Sequence, residues 1–362
     1  MTSSRVTRTC ANTVGSLVNV GTTIRLAVKC VRTYYSFEKS QTDCDRFVNG
    51  DFGMITLFRR LWPVVVAVIA CSVIFYQFDW NNMLVLLPTL PVGWLLLTMS
   101  VGALLVFLIC AMRWIAISQL SWRPLVMMRV HCYVSLSIVA SLVTPFQLGE
   151  LVKIRFAKEA GLKVGSSAVN VVLERILDLS TIAAIGCAGF VYLRTGLVVV
   201  SLFVMFALFL AGVTIPLVFK TWLKKSGGTR FGNIARSLAG PTLPLRSLFV
   251  VAVMTLLKWG LTLATWMFIL ELVGVNLTVP QGSFLVGAVT AIAIISMIPG
   301  GLGVQELSVR AILIGMGIEP LHAETAAIVL RLFTPVMVFV GLAHLPFLYK
   351  ASRHTEGKSL HV

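Results

Sequence analysis

The sequence predicts an all-α polytopic membrane protein, with about six spanning helices plus two opposed re-entrant hairpins in an inverted-topology internal repeat. Three observations carry this. Of 362 residues, 57% are hydrophobic and 12% charged, against about 25% charged in an average soluble domain. Several apolar stretches reach the roughly 20 residues that a bilayer core about 30 Å thick requires. The apolar run "SFLVGAVTAIAIISMIPG" is then broken by a Pro and three glycines, followed by a Glu, in "SMIPGGLGVQE" (296–306). A closed β-barrel would instead alternate over segments of about ten residues.

The elements follow in chain order. Residues 1–53 are polar, mixed in charge and without a signal peptide. They read as a flexible cytoplasmic tail or an over-long translation start, and Met54 opens a transmembrane domain over 54–350. A first span is expected at about 61–78, after Arg59 and Arg60. The loop 79–94 has no Lys or Arg and so faces outside by the positive-inside pattern. A second span, about 92–112, returns to Arg113, Arg123 and Arg129 on the cytoplasmic side. An apolar run of about 15 residues then meets Pro145 and turns basic at Lys153, Arg155, Lys158 and Lys163. Too short to cross easily, it reads as a hairpin entering from the cytoplasm.

Spans at about 166–193 and 197–219 come next, then a basic cytoplasmic loop and a span at about 248–271. An outside loop without Lys or Arg leads to the second hairpin, built on the broken run, and a last span covers about 322–348. Residues 351–362 are a cytoplasmic tail. Both termini are thus expected in the cytoplasm of a multi-pass protein of the cell (inner) membrane. The net charge of +16 sits beside apolar runs, with no aromatic-interleaved basic domain, so nucleic acid is not an expected partner. Seven scattered cysteines give neither a disulfide framework nor a zinc spacing.

The repeat lies in two segments, "TPFQLGELVKIRFAKEAGLKVGSSAVNVVLERILD" (144–178) and "IPGGLGVQELSVRAILIGMGIEPLHAETAAIVLRLFT" (298–334). Glu150 and Glu306, Gly161 and Gly317, and Arg175 and Arg331 each stand 156 positions apart, whereas Pro145 and Pro299 stand 154 apart. The second break is therefore two residues longer. The halves are about 54–193 and 197–350, and the three crossings between the copies, an odd number, make them inverted. Many transporters use inverted repeats with discontinuous helices near the midplane.

A helix restarting after a break offers unpaired N–H groups and partial positive charge. Gly300, Gly301 and Gly303 would let a ligand approach the backbone, and a phosphate-bearing head group fits such a site. Arg175 and Arg331 add fixed charge and can grip phosphate with two donors. Glu150 and Glu306 read either as first-turn caps or as members of the site. Arg175 and Asp178, three apart on a helix, form an internal ion pair or part of the site. Glu174 then leaves two acids competing for one Arg, a negative surplus that favours a proton-linked or head-group role. Lys258 either snorkels or lines a cavity. His131, His322 and His344 read as isolated packing or interfacial residues. Gly149 is expected to tolerate an added β-carbon better than Gly301.

These segments resemble the two signature segments of the lysylphosphatidylglycerol synthase transmembrane region, or flippase-like, family, over about residues 60–350. Pro145, Gly149, Glu150, Glu174, Arg175 and Asp178 match the first signature. Pro299, Gly300, Gly301, Gly303 and Glu306 match the second. Gln147 stands where many relatives carry a basic residue. Fused members continue into a soluble aminoacyl-transfer domain, so the resemblance implies a stand-alone lipid-moving half. It implies a lipid translocase for an anionic or phosphate-bearing lipid or glycolipid, such as a polyprenyl-phosphate-linked sugar, an aminoacylated phospholipid or a hopanoid-type lipid.

The competing class is a membrane subunit or enzyme of lipid or glycolipid biosynthesis, by aminoacyl or glycosyl transfer; a third is a scaffold for a biosynthetic complex. The sequence has no nucleotide-binding loop, no D-x-D-like metal pair and no nucleophile constellation, so no catalytic residue, metal or cofactor is assigned. The expected partners are a membrane lipid, lipid- or glycan-biosynthesis enzymes and a second copy of the chain.

Overall fold

Prolines and glycines punctuate the apolar runs, and the helices start and stop accordingly. Pro124, Pro280 and Pro320 each stand in a first turn, where a missing N–H breaks no helical bond. The computed structural model describes residues 65, 68–144, 149–159, 162, 164–225, 244–296 and 298–347. The expected tails, the basic loop after residue 225, and Pro145, Gln147 and Gly161 lie outside the described residues.

The described elements are all helical. They are α1 (Val68–Gln77), α2 (Trp80–Leu86), α3 (Val92–Ser118), α4 (Pro124–Val143), α5 (Leu151–Glu159) and α6 (Val164–Thr195). There follow α7 (Val198–Lys225), α8 (Leu245–Leu272), α9 (Val279–Ile295), α10 (Val304–Gly315) and α11 (Pro320–Leu342). Among the described residues, α3, α4, α6, α8 and α11 are long and apolar enough to cross a membrane. The chain is a multi-pass membrane protein. The helix α1, the segment Val198–Thr214 of α7, and α9 are shorter apolar helices.

Two elements differ from the sequence reading. Helix α3 does not end before Arg113 but runs on to Ser118, because Trp114–Ile117 keep its apolar character. The 15-residue apolar run lies inside the 20-residue α4, which has the length and composition to cross. That helix starts at Pro124, several residues before the apolar run, and so includes Arg129 and His131.

The order α3–α4–α5–α6 recurs as α8–α9–α10–α11, each start falling 153 to 156 residues later. Glycines let the crossing helices come close. A β-carbon at Gly186 of α6 would lie 3.1 Å from Gly287 Cα of α9, and one at Gly189 would lie 2.6 Å from Phe284 N. Small residues at a crossing allow the close packing that holds helices together where lipid supplies no hydrophobic drive. One apolar core gathers Trp266, Leu285, Val309 and Leu330, and another gathers Trp114, Val134, Phe156 and Leu177. Leu96, Leu97, Val101, Leu104 and Leu105 of α3 are exposed, which in a membrane means facing lipid.

Candidate functional site

At the first break the chain turns back on α4. Gly149 N donates to Thr144 Oγ1 at 2.9 Å, and Ser137 Oγ donates to the Gly149 carbonyl at 3.3 Å. A β-carbon on Gly149 would lie 2.1 Å from Ser141 N and 2.2 Å from the Ala140 carbonyl carbon. Only glycine fits there. The expectation that Gly149 is the tolerant glycine is therefore reversed: its neighbours are backbone atoms of a helix, which cannot rotate away.

The return delivers Glu150 to a buried cluster of charges. Glu150 Oε2 meets Lys153 Nζ at 2.5 Å, and Oε1 meets Arg175 Nη2 at 2.7 Å. Lys153 Nζ also reaches Glu174 Oε2 at 2.9 Å and lies over the Trp114 ring. Arg113, 1% exposed, donates Nε to Glu174 at 3.0 Å and grips both oxygens of Asp178, at 2.7 and 3.1 Å. Asp178 Oδ1 also accepts from Trp259 Nε1 at 3.0 Å and faces Lys258 Nζ at 2.9 Å. The Lys258 ammonium stands 4.4 Å from the Trp259 ring centre. Arg175 Nη2 is 3.8 Å from Asp178, a longer contact than the one to Glu150.

Two sequence expectations are corrected here. Glu174 and Asp178 do not compete for Arg175; they share Arg113. The expected negative surplus becomes an excess of one positive charge, with Arg113, Lys153, Arg175 and Lys258 facing Glu150, Glu174 and Asp178. Arg113 and Lys153, read as cytoplasmic flanks, are among the most deeply buried side chains. The signals were present: four apolar residues follow Arg113, and Lys153 is three positions from Glu150. Lys258 resolves as a partner of Asp178 rather than a snorkelling side chain.

The second break is built from a different local chemistry. Pro299–Gly301 form a single 3-10 turn, and Gly300, Gly301 and Gly303 have φ of 59°, 64° and 79°. That region penalises a β-carbon, so the glycines are required by the backbone itself. Glu306 Oε1 meets Arg331 Nε at 3.1 Å, and Arg331 Nη1 donates to the Gly300 carbonyl at 2.5 Å. Glu306 Oε2 is buried without a hydrogen-bond partner among the described residues.

The two breaks touch. A β-carbon at Gly300 would lie 3.0 Å from the Leu142 carbonyl oxygen, at the end of α4, and 3.4 Å from Arg331 Nη2. Thus Gly149, Glu150, Glu174, Arg175 and Asp178 gather on one side. Pro299, Gly300, Gly301, Gly303, Glu306 and Arg331 gather on the other. The two arginines paired with Glu150 and Glu306 are partly open, with side chains 34% and 18% exposed against 1% for Arg113. Both already hold a carboxylate, so an incoming anion would compete with Glu150 or Glu306.

The histidines are not isolated either. His131 Nε2 and His344 Nε2 are 3.0 Å apart, joining α4 to the end of α11, and His322 Nδ1 lies 3.3 Å from Glu319. The His131–His344 contact arises because α4 and α11 pack together, whereas the His322–Glu319 contact is local, three positions apart.

The model of the family described as lysylphosphatidylglycerol synthase TM region matches residues 60–341. No curated protein matches the chain.

Proposed function

We propose, for a chain that belongs to the lysylphosphatidylglycerol synthase TM region family, that it is a lipid translocase moving an anionic or phosphate-bearing lipid between leaflets. The observation that carries this reading is the meeting of two helix breaks, each with an arginine that is partly open and held by a glutamate where the helix restarts. Broken backbone and ionised side chains are tolerated at membrane depth where they are buried in protein or line a wet path. Arginine offers a phosphate two parallel donors. The single excess positive charge of the first cluster favours a ligand with one negative charge.

In this reading α4–α5 and α9–α10 act as opposed re-entrant hairpins of an inverted repeat, and both termini lie in the cytoplasm at the cell membrane. Single cysteines at Asn81, Asn276 and Ser226 test the arrangement with an impermeant maleimide in intact cells. Labelling at 81 and 276 but not at 226 agrees with inversion; labelling at 226 contradicts it. The activity is tested with purified protein in liposomes. Leaflet exchange of fluorescent phosphatidylglycerol without added nucleotide supports translocation, and exchange no faster than in protein-free vesicles refutes it for that lipid class.

A further inference from the structure

The glutamates of the two breaks, Glu150 just before α5 and Glu306 in the first turn of α10, are held differently, and that difference bears on how transport is driven. Neither glutamate has a hydrogen bond of good geometry to Oε2, but Glu150 has a cation at each carboxylate oxygen, Lys153 at Oε2 and Arg175 at Oε1. Glu306 has one: its Oε1 meets Arg331, whose Nη1 is turned to the Gly300 carbonyl. The other oxygen, Oε2, is buried without a hydrogen-bond partner among the described residues, in a residue only 4% exposed.

Among the described residues the carboxyl otherwise faces the backbone N–H groups of Gly303 and Glu306 at the start of α10. Helix α11 contributes Arg331 as the cation, and α9 contains no titratable side chain. Helix α1 brings Cys71 to the neighbouring Gly303, and the end of α4 presents the Leu142 carbonyl at Gly300. Arg310, one turn further along α10, is taken by Glu324 at 2.8 Å. A buried charged acceptor with an unmet lone pair is unfavourable, and a proton on Oε2 removes both the charge and the unmet acceptor. Intramembrane carboxyl groups of this kind serve as proton carriers.

Building on the translocase reading, we propose that Glu306 is the proton-carrying acid of the transport cycle. When a lipid phosphate monoanion takes the Arg331 guanidinium, the released Glu306 carboxylate accepts a proton from water and an O–H bond forms. When the phosphate leaves, the proton leaves and the Glu306–Arg331 ion pair closes again. One anion and one proton enter together, so the loaded site carries the same charge as the empty one. Glu150, with two cations on it, stays ionised throughout.

Infrared difference spectra between acid and neutral pH test the proton site on the full-length protein in liposomes of phosphatidylglycerol and phosphatidylcholine. A protonated-carboxyl band is expected that Glu306→Gln removes and Glu150→Gln keeps. A band untouched by Glu306→Gln, or no band, overturns the proposal. Should Glu306→Gln fail to fold, Arg331→Gln replaces it: with its cation gone the band appears at less acidic pH, and an unmoved band overturns the assignment. In the same liposomes, a pH gradient of one unit should bias fluorescent phosphatidylglycerol about tenfold toward the alkaline leaflet, one proton per lipid. The bias should vanish in Glu306→Gln. Exchange indifferent to the gradient overturns the coupling alone. A band without any phosphatidylglycerol movement overturns the translocase reading for that lipid class and the coupling with it, leaving Glu306 as a titrating group.

Discussion

Both helix breaks pair a glutamate, Glu150 just before α5 and Glu306 in the first turn of α10, with the arginine twenty-five positions on, yet the two pairs live in opposite surroundings. Around Glu150 and Arg175 stand Arg113, Lys153, Glu174 and Asp178. At the positions 156 residues later stand Ile269, Val309, Leu330 and Thr334. Three of these, Ile269, Val309 and Leu330, are buried in an apolar core. The same backbone plan thus carries a charge cluster in one copy and hydrocarbon in the other. A cluster in which every acid has at least two cationic contacts is rigid, because moving any member strands a buried charge. The Glu306–Arg331 pair, set in apolar packing, has a single cation on its acid, so one new partner for Arg331 and one proton on Glu306 suffice to open it. The difference teaches that the second copy is the one built to change its partners.

The most severe test removes the centre of the first cluster. Arg113→Met takes away the cation shared by Glu174 and Asp178, and breaking a buried pair in this way costs about 3–5 kcal/mol. The expected readout is a large fall in the unfolding midpoint in detergent. The matching change in the second copy, Ile269→Val, should cost about 0.5–1.5 kcal/mol. Similar falls for both would break the comparison.

Conservative replacement of the two arginines comes next. Arg331 reaches Glu306 through Nε and Gly300 through Nη1, two directions that one ammonium cannot serve. Arg331→Lys should lose about 1.5–3 kcal/mol of charge-assisted hydrogen bonding, read as at least a tenfold slower phosphatidylglycerol exchange. Arg175 Nη2 meets Glu150 at 2.7 Å and Asp178 at 3.8 Å, and Lys153 also holds Glu150, so Arg175→Lys should be the milder change. The opposite ranking would assign the working arginine to the first copy.

The glycines give a smaller and sharper contrast. Gly149→Ala pushes a methyl group into helix backbone and should reach the upper end of the roughly 1–3 kcal/mol that overpacking costs. Gly301→Ala meets Ala293 Cβ at 3.1 Å, with φ at 64°, and should cost about 1–2 kcal/mol, chiefly through its left-handed backbone. Unfolding midpoints of the two variants decide the order. The smallest effect belongs to Thr255→Val. It deletes the 3.3 Å contact from Arg113 Nη1 while Asp178 and Glu174 remain, for about 0.5–1.5 kcal/mol by the same unfolding measurement.

Much of the candidate site was legible because its members are marked locally. Gly300, Gly301 and Gly303 announce a break whatever surrounds them, and Glu306 and Arg331 repeat Glu150 and Arg175 at one spacing. Pairing is legible only within one helix: the Arg175–Asp178 ion pair, three positions apart, is present at 3.8 Å, whereas the shorter contact of Arg175, to Glu150 at 2.7 Å, runs between elements. A lysine or arginine at the end of an apolar run looks the same whether it snorkels to the interface or turns inward.

The sequence by itself determined the solvent, the order of helices, the two breaks and the parallel between the halves. Hydropathy, proline and glycine act over a few residues, and a repeat needs no fold to be seen. Only the tertiary structure decided which acids Arg113, Lys153 and Lys258 answer to, and that Gly300 meets the end of α4. Glu174 lies 21 positions from Lys153, and Asp178 lies 65 from Arg113 and 80 from Lys258. A buried charge is stable only when such a partner arrives in register, and that depends on how close the small residues let the helices pack.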